Sequence, residues 1–247
     1  MNAEFEYGDF KAVLSLAPTG LKYPKVLPLY DNLLTDVPRD GVIHLGAHVG
    51  QEVHVYTMLG FRRALMVEPL PEEFEILEER CSTMMAFMQA QRDLVGRSPR
   101  PPVEFRCVRC AASDQAGVAT FYRTEWTQLS GLTPPEEDLP DARFQAVAIE
   151  VETRTLDDIV QSLGDGWDTS DFTYLRMNIQ GAELMALRGA ENVLKNLKAI
   201  LLEVSLDSRY EGQPGKEEFD AFLGPRGFEC TFGCRLGPVG NLLYQRK

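Results

Sequence analysis

Apolar and polar positions along this chain fall into blocks whose period switches repeatedly between that of a strand and that of a helix. Residues 42–45 and 64–67 are short, almost wholly apolar runs separated by a glycine turn and a helical stretch. Pro71 stands at a first helical position, and Phe74, Ile76, Leu77, Met84, Met85, Phe87 and Met88 follow broadly at helical spacing. The methionines in that set read as core filling. Residues 103–110, 172–179 and 199–204 are further strand-like runs, the last broken only by Glu203. Residues 118–122 and 146–152 alternate like strands. Thr155 caps a helix with Asp157 and Asp158 in its first turn, and 182–196 carries one apolar stripe through Leu184, Leu187, Ala190 and Val193. A helix over 216–223 stops at Gly224-Pro225, and 228–244 reads as two strands around a glycine-rich turn.

Strand–helix repetition with continuous apolar strands predicts a Rossmann-like α/β fold: a mostly parallel sheet covered by helices on both faces. The last pair, with no helix between, predicts an antiparallel C-terminal strand. Residues 1–40 form a helical lead-in or cover, with pieces near 10–16 and 26–34 broken by Pro18, Pro24 and Pro28. Residues 41–247 make one domain. Within it, 123–145 is a long irregular insertion holding Trp126, Gln128 and Ser130, and reads as a lid or substrate loop, with 134–141 as a solvated acidic stretch.

The net charge of −12 repels phosphate backbones and argues against a nucleic-acid partner. No apolar run approaches the ~20 residues of a membrane span, and the acidic first ten residues do not read as an export signal. Five cysteines are scattered, and Cys107-x-x-Cys110 lies in a strand, where thiols three apart face opposite sides. Reduced structural cysteines follow, and with them a cytoplasmic setting. His44, His48 and His54 fall on a strand, a turn and a helix, so no metal is expected.

The chemistry concentrates in Gly46-Ala47-His48-Val49-Gly50-Gln51-Glu52 and in Glu68-Pro69 at the tip of the second run. A glycine turn after a strand brings backbone close to a ligand, and a carboxylate at the next strand's end accepts hydrogen bonds from both ribose hydroxyls. Dinucleotide enzymes place a second glycine where this chain has His48, so a pyrophosphate is disfavoured. S-adenosylmethionine, which has no phosphate, fits better. Ala112 and Ser113, ending the third run, stand where an adenine ring would lie. Gly46, Ala47, His48, Gly50, Gln51, Glu52, Glu68, Pro69, Ala112, Ser113 and Asn178 are the expected cofactor residues.

Gly46-Ala47-x-Val49-Gly50-Gln51-Glu52 with Glu68-Pro69-Leu70-Pro71, then Asn178-x-Gln180-Gly181-Ala182-Glu183 and Leu187-Arg188-Gly189-Ala190-Glu191, resemble the FkbM-type methyltransferases. Thr155-Leu156-Asp157-Asp158 and Leu202-Glu203-Val204 also fall in that family's usual places. The resemblance spans roughly 41–228. It implies S-adenosylmethionine dependence, the seven-stranded class I methyltransferase sheet, and O-methylation of a hydroxyl on a natural product or sugar. The family pattern has an aspartate where this chain has His44, and carboxylates where it has Asn178 and Gln180. Amides hydrogen-bond a ligand but take no proton at neutral pH.

An alcohol acceptor must lose a proton, and His48, Glu183, Glu203 and Asp207 are the candidate bases at strand ends, His48 first for its near-neutral titration. The alternative role of His48 is to lend its backbone to the turn while the ring packs. His48, Asn178, Gln180 and Glu203 are therefore the expected catalytic residues, and Trp126, Glu183 and Asp207 the expected acceptor contacts. Three further readings stay open. Glu68 could cap the helix after Pro71, the two amides could mark a cofactor-binding module without transferase activity, and a nicotinamide oxidoreductase is the weakest.

Overall fold

A computed structural model describes residues 32–95, 102–137, 139–236 and 239–247. The expected helix at 10–16 and nearly all of that at 26–34 lie outside these residues. The main sheet has seven strands: β1 (Gly41–Leu45), β2 (Arg63–Val67), β3 (Glu104–Val108), β7 (Tyr174–Met177), β8 (Ala199–Ser205), β9 (Phe228–Leu236) and β10 (Val239–Arg246), in the order β3-β2-β1-β7-β8-β10-β9. All neighbouring pairs are parallel except those of β10, which runs antiparallel to both β8 and β9. This is the class I methyltransferase sheet, with the antiparallel C-terminal strand inserted next to last.

Two apolar clusters cover the sheet, one on each face. Ile43, Leu45, Leu65 and Leu175 belong to one, and Val42, Ala64, Met66 and Tyr174 to the other, as strict alternation along a strand requires. Cys110 and Cys107 likewise fall in opposite clusters. Helix α1 (Val53–Leu59) follows the glycine turn, and α2 (Pro71–Val95) opens with Glu72 and Glu73 in its first turn. Met84, Met85 and Met88 pack on the core, but Ile76 and Phe87 are exposed, so the expected stripe on α2 is narrower than its apolar content.

Two departures from the expected pattern shape the site. The strands β5 (Gly117–Thr124) and β6 (Ala146–Arg154) do not join the main sheet. They pair as an antiparallel hairpin, and with β4 (Ala111–Ala112) make a separate three-stranded sheet in the order β4-β6-β5. Ala111, Phe121 and Val151 of this sheet cluster with Leu70, which follows the carboxyl end of β2. The expected single helix over 182–196 is two, α4 (Glu183–Arg188) and α5 (Glu191–Asn196). The break falls at Gly189, where a Cβ would stand 2.2 Å from the Ser113 carbonyl oxygen. Backbone approach at that point outweighs the helical apolar stripe. Helix α3 (Leu156–Gln161) begins as expected, with the Thr155 hydroxyl accepting from the Asp158 N–H at 3.1 Å, and α6 spans Lys216–Leu223.

Candidate active site

Strand β1 ends in a turn that only particular residues can make. At Gly46, φ is +74°, and a Cβ would lie 2.0 Å from the Asn178 carbonyl oxygen, so glycine is required. The N–H groups of Gly46 and Ala47 both donate to the Val67 carbonyl at 3.0 Å, tying the turn to β2. His48, where the expected second glycine is missing, nonetheless takes φ +48°, at a cost of about 1–2 kcal/mol. Its backbone N–H donates to Glu68 Oε2 at 2.8 Å, and the Leu70 N–H donates to Oε1 at 3.0 Å. Glu68 thus tethers the turn and tops α2, while each carboxylate oxygen keeps a further lone pair. Burial pushes its pKa up to about 7, and the charge of Glu73 adds to the rise; the two N–H donors oppose it.

The His48 ring is held at both ends. Gln51 Nε2 donates to Nδ1 at 3.1 Å, which puts the ring proton on Nε2, where it faces Thr127 Oγ1 at 2.8 Å. Burial lowers its pKa, with Glu73 and Arg80 acting in opposite directions. The imidazole is therefore neutral at pH 7 and spans from the glycine turn to the inserted segment.

At the end of β7, Gln180 (φ +56°) donates from Nε2 to Asn178 Oδ1 at 2.6 Å and accepts the Tyr210 hydroxyl on Oε1 at 2.7 Å. The Tyr210 hydroxyl also lies 3.1 Å from the Leu129 carbonyl. This chain fixes the Asn178 amide with Oδ1 engaged and Nδ2 without a partner among the described residues. Glu183 accepts the N–H groups of Ile179 at 3.1 Å and Gly181 at 3.0 Å. Burial raises its pKa to about 7 against those donors.

Between these groups lies a cavity of about 380 Å³, within the range of small-molecule sites. Its wall runs from Glu68, Pro69, Ala111 and Ala112, past Gly46, His48 and Asn178, to His44, Glu52, Arg176 and Glu203. Residues 127–132 form the opposite side. At the far end Arg176 donates to Asn241 Oδ1 at 3.2 Å and pairs with Glu203 at 3.5 Å. Burial, then the charge of Arg176, holds the pKa of His44 well below its ordinary value, and Tyr56 OH lies 3.0 Å from its Nδ1.

Eight of the expected cofactor residues line this cavity: Gly46, His48, Gln51, Glu52, Glu68, Pro69, Ala112 and Asn178. Ala47, Gly50 and Ser113 do not; Gly50 packs on Leu77, and the Ser113 N–H donates to the Arg154 carbonyl. All four expected catalytic residues, His48, Asn178, Gln180 and Glu203, are on the wall. The three expected acceptor contacts are not. Trp126 is exposed beneath Arg143, whose guanidinium carbon is 4.9 Å from the ring centre; Asp207 is exposed; and Glu183 is turned under its own backbone turn. The sequence reading passed over Arg176, Thr127 and Tyr210. For Arg176 a signal existed, since it shares a strand face with Asn178 two residues on. Thr127 and Tyr210 arrive through contacts across 79 and 30 residues, which local pattern cannot announce.

The match to the methyltransferase FkbM domain covers residues 44–232, from β1 through the cavity wall to β9. The chain belongs to the FkbM methyltransferase family. No curated protein matches it. Among solved structures it is similar to magnesium protoporphyrin IX methyltransferase of Synechocystis with bound S-adenosylmethionine (10% identity over 100% of this chain and 93% of that one, TM-score 0.40). Another is TrmK of M. capricolum with S-adenosylhomocysteine (4% identity, 89% and 67% covered, TM-score 0.45). A third is the methyltransferase domain of bacterial CtHen1 (12%, 89% and 96%, TM-score 0.41). At these low scores the assignment rests on the family match. The FkbM domain uses S-adenosylmethionine.

Proposed function

We propose that this protein is an S-adenosylmethionine-dependent O-methyltransferase acting on a hydroxyl of a small molecule, a natural product or sugar. The observation that carries the reading is the cavity itself, which runs from the buried Glu68 carboxylate past the glycine turn to a polar end at Glu203. Its size suits a nucleoside cofactor, and the net charge of −12 disfavours a polyanionic acceptor. No helix among the described residues is long and apolar enough to cross a membrane, and a cytoplasmic setting fits the free thiols of Cys81, Cys107, Cys110 and Cys230.

The residues present fit the cofactor: Glu68 is a buried carboxylate with lone pairs left for a diol, and Gly46 keeps the turn open. Bound S-adenosylmethionine supplies an electrophilic methyl on a sulfonium. The chain supplies position: Glu68 holds the ribose, the glycine turn sets its depth, and Asn178 Nδ2 orients an oxygen on the cavity axis. His48, with both ring nitrogens engaged, acts as a brace between the turn and Thr127, which leaves Glu203 to receive the acceptor's proton. That same engagement favours a second reading, a cofactor-binding module without turnover. Incubation with S-adenosylmethionine and pools of hydroxylated metabolites, read by mass, tests both. A methylated product supports the transferase; cofactor binding without any product supports the module; methylation of RNA alone overturns the small-molecule acceptor.

A further inference from the structure

Strand order sets what lies beside Glu68. β1, β2 and β3 are consecutive in the sheet, and past their carboxyl ends come, in turn, the Gly46 turn, Glu68, and the run Cys110-Ala111-Ala112. Neighbouring strands lie about 4.8 Å apart. A ribose on Glu68 therefore has the glycine turn on one side and the end of β3 on the other. The sulfur end of the cofactor belongs with the turn and Asn178, which leaves the β3 side for the base.

That side is apolar among the described residues. Ala111 and Phe121 belong to the small cluster that joins the inserted hairpin to Leu70, Leu132 packs against it, and all three line the cavity beside Cys110 and Ala112. The polar side chains nearby are committed elsewhere. Ser113 and Asp114, which end the β3 run in the sequence, stay off the wall, and Ser113 Oγ donates to Asp114 Oδ1 at 3.3 Å. Ser130 accepts the Thr124 N–H at 3.0 Å and lies 3.2 Å from Thr124 Oγ1. Thr127 faces His48 and Gly131 lies against Gln180, so the polar part of residues 127–131 stands by the glycine turn, and Leu132 is what reaches the cluster.

A purine in an apolar slot is held by burial and by stacking of its faces on an aromatic ring, whatever its rim carries. Reading the rim instead takes a polar partner, whose loss of one hydrogen bond weakens binding about tenfold or more.

We propose that the adenine of the cofactor is recognised by its faces, that Phe121 is the ring it stacks against, and that the site therefore takes nucleosides lacking the 6-amino group. This rests on the methyl-transfer reading above, and it gives the β5–β6 hairpin a part in holding the cofactor.

The test is calorimetric titration of the full chain with S-adenosylhomocysteine and with its 6-desamino counterpart, the homocysteine thioether of purine riboside. The wild type should bind the two within about fivefold of each other; a larger loss for the 6-desamino ligand means that a polar group reads the rim, and overturns the proposal. Phe121→Leu keeps an apolar residue in the cluster but removes the ring, and should weaken both ligands by the same factor, more than about threefold. Phe121→Trp checks the same contact without removing a ring. Its added indole emission should be quenched by S-adenosylhomocysteine beyond any change in the wild type, whose tryptophans are Trp126 and Trp167. A smaller loss in a folded Phe121→Leu, or no added quenching in Phe121→Trp, overturns the assignment of Phe121. Failure of the wild type to bind either ligand would instead overturn the methyl-transfer reading.

Discussion

Replacing Glu68 with glutamine isolates the nucleoside clamp. In the native site each carboxylate oxygen already accepts one backbone N–H, from His48 and from Leu70. A glutamine can satisfy only one of these with its oxygen, and must set its NH2 against the other donor. That opposition costs about 1–3 kcal/mol, and the lost charge-assisted bond to a ribose hydroxyl about 1.5–3 kcal/mol more. Because part of the first cost falls on the unliganded protein, S-adenosylhomocysteine affinity is expected to fall about 10–100-fold. The wild type should also show a pH dependence that the variant lacks. With its pKa raised to about 7, Glu68 is partly protonated in the free protein at neutral pH. Two hydroxyl donors favour the ionised form, so binding expels a proton, and affinity weakens by up to about tenfold per unit as pH falls below 7. Isothermal titration calorimetry from pH 6 to 8, in buffers of differing ionisation enthalpy, reads both affinity and proton release. A variant that binds within about twofold of wild type, or a flat wild-type profile without proton release, would refute the clamp.

Glu68 and Glu183 both have folded pKa values raised from 4.5 to about 7 by burial, so their protonated forms favour folding: the contribution is complete below about pH 4.5 and lost as pH rises through 7. The thermal midpoint of the unliganded protein should accordingly fall between pH 5 and 8, and Glu183→Gln should flatten that fall in a thermal melt series. Tyr210→Phe releases Gln180 and the Leu129 carbonyl, costing about 1–3 kcal/mol in urea unfolding and weakening cofactor-product binding through a mobile Asn178. Gly189→Ala drives a Cβ against the Ser113 carbonyl and should destabilise by more than about 2 kcal/mol; an unchanged melt would mean the α4–α5 break has another cause. Trp126→Ala, on an exposed residue off the cavity wall, should leave S-adenosylhomocysteine affinity within about twofold.

The side of the cavity wall formed by Gly46, His48 and Glu68 was legible from residues alone because it is local. β1, the turn and Glu68 lie within 28 residues, and the constraints on them, close backbone approach at Gly46 and an acid at a strand tip, are written as residue types. Even there His48 adopts a left-handed conformation that its side chain does not advertise. Trp126, Glu183 and Asp207 fall off the cavity wall for the opposite reason. Trp126 and Asp207 sit in the expected segments, but which residue of an insertion faces inward is decided by how the β5–β6 hairpin docks through Phe121 and Val151. Glu183 stands near a strand end as a candidate base should, but its two oxygens accept the N–H groups of the turn before it. Arg176 was hidden by its strand, since a guanidinium inside an apolar run is informative only once Glu203 and Asn241 are seen beside it.

The most direct test of the whole account is a crystal structure of the protein with S-adenosylhomocysteine. Both ribose hydroxyls are expected on Glu68, adenine against Ala112, and sulfur between Gly46 and Asn178. A ribose held by any other residue, with Glu68 left unengaged, would contradict it.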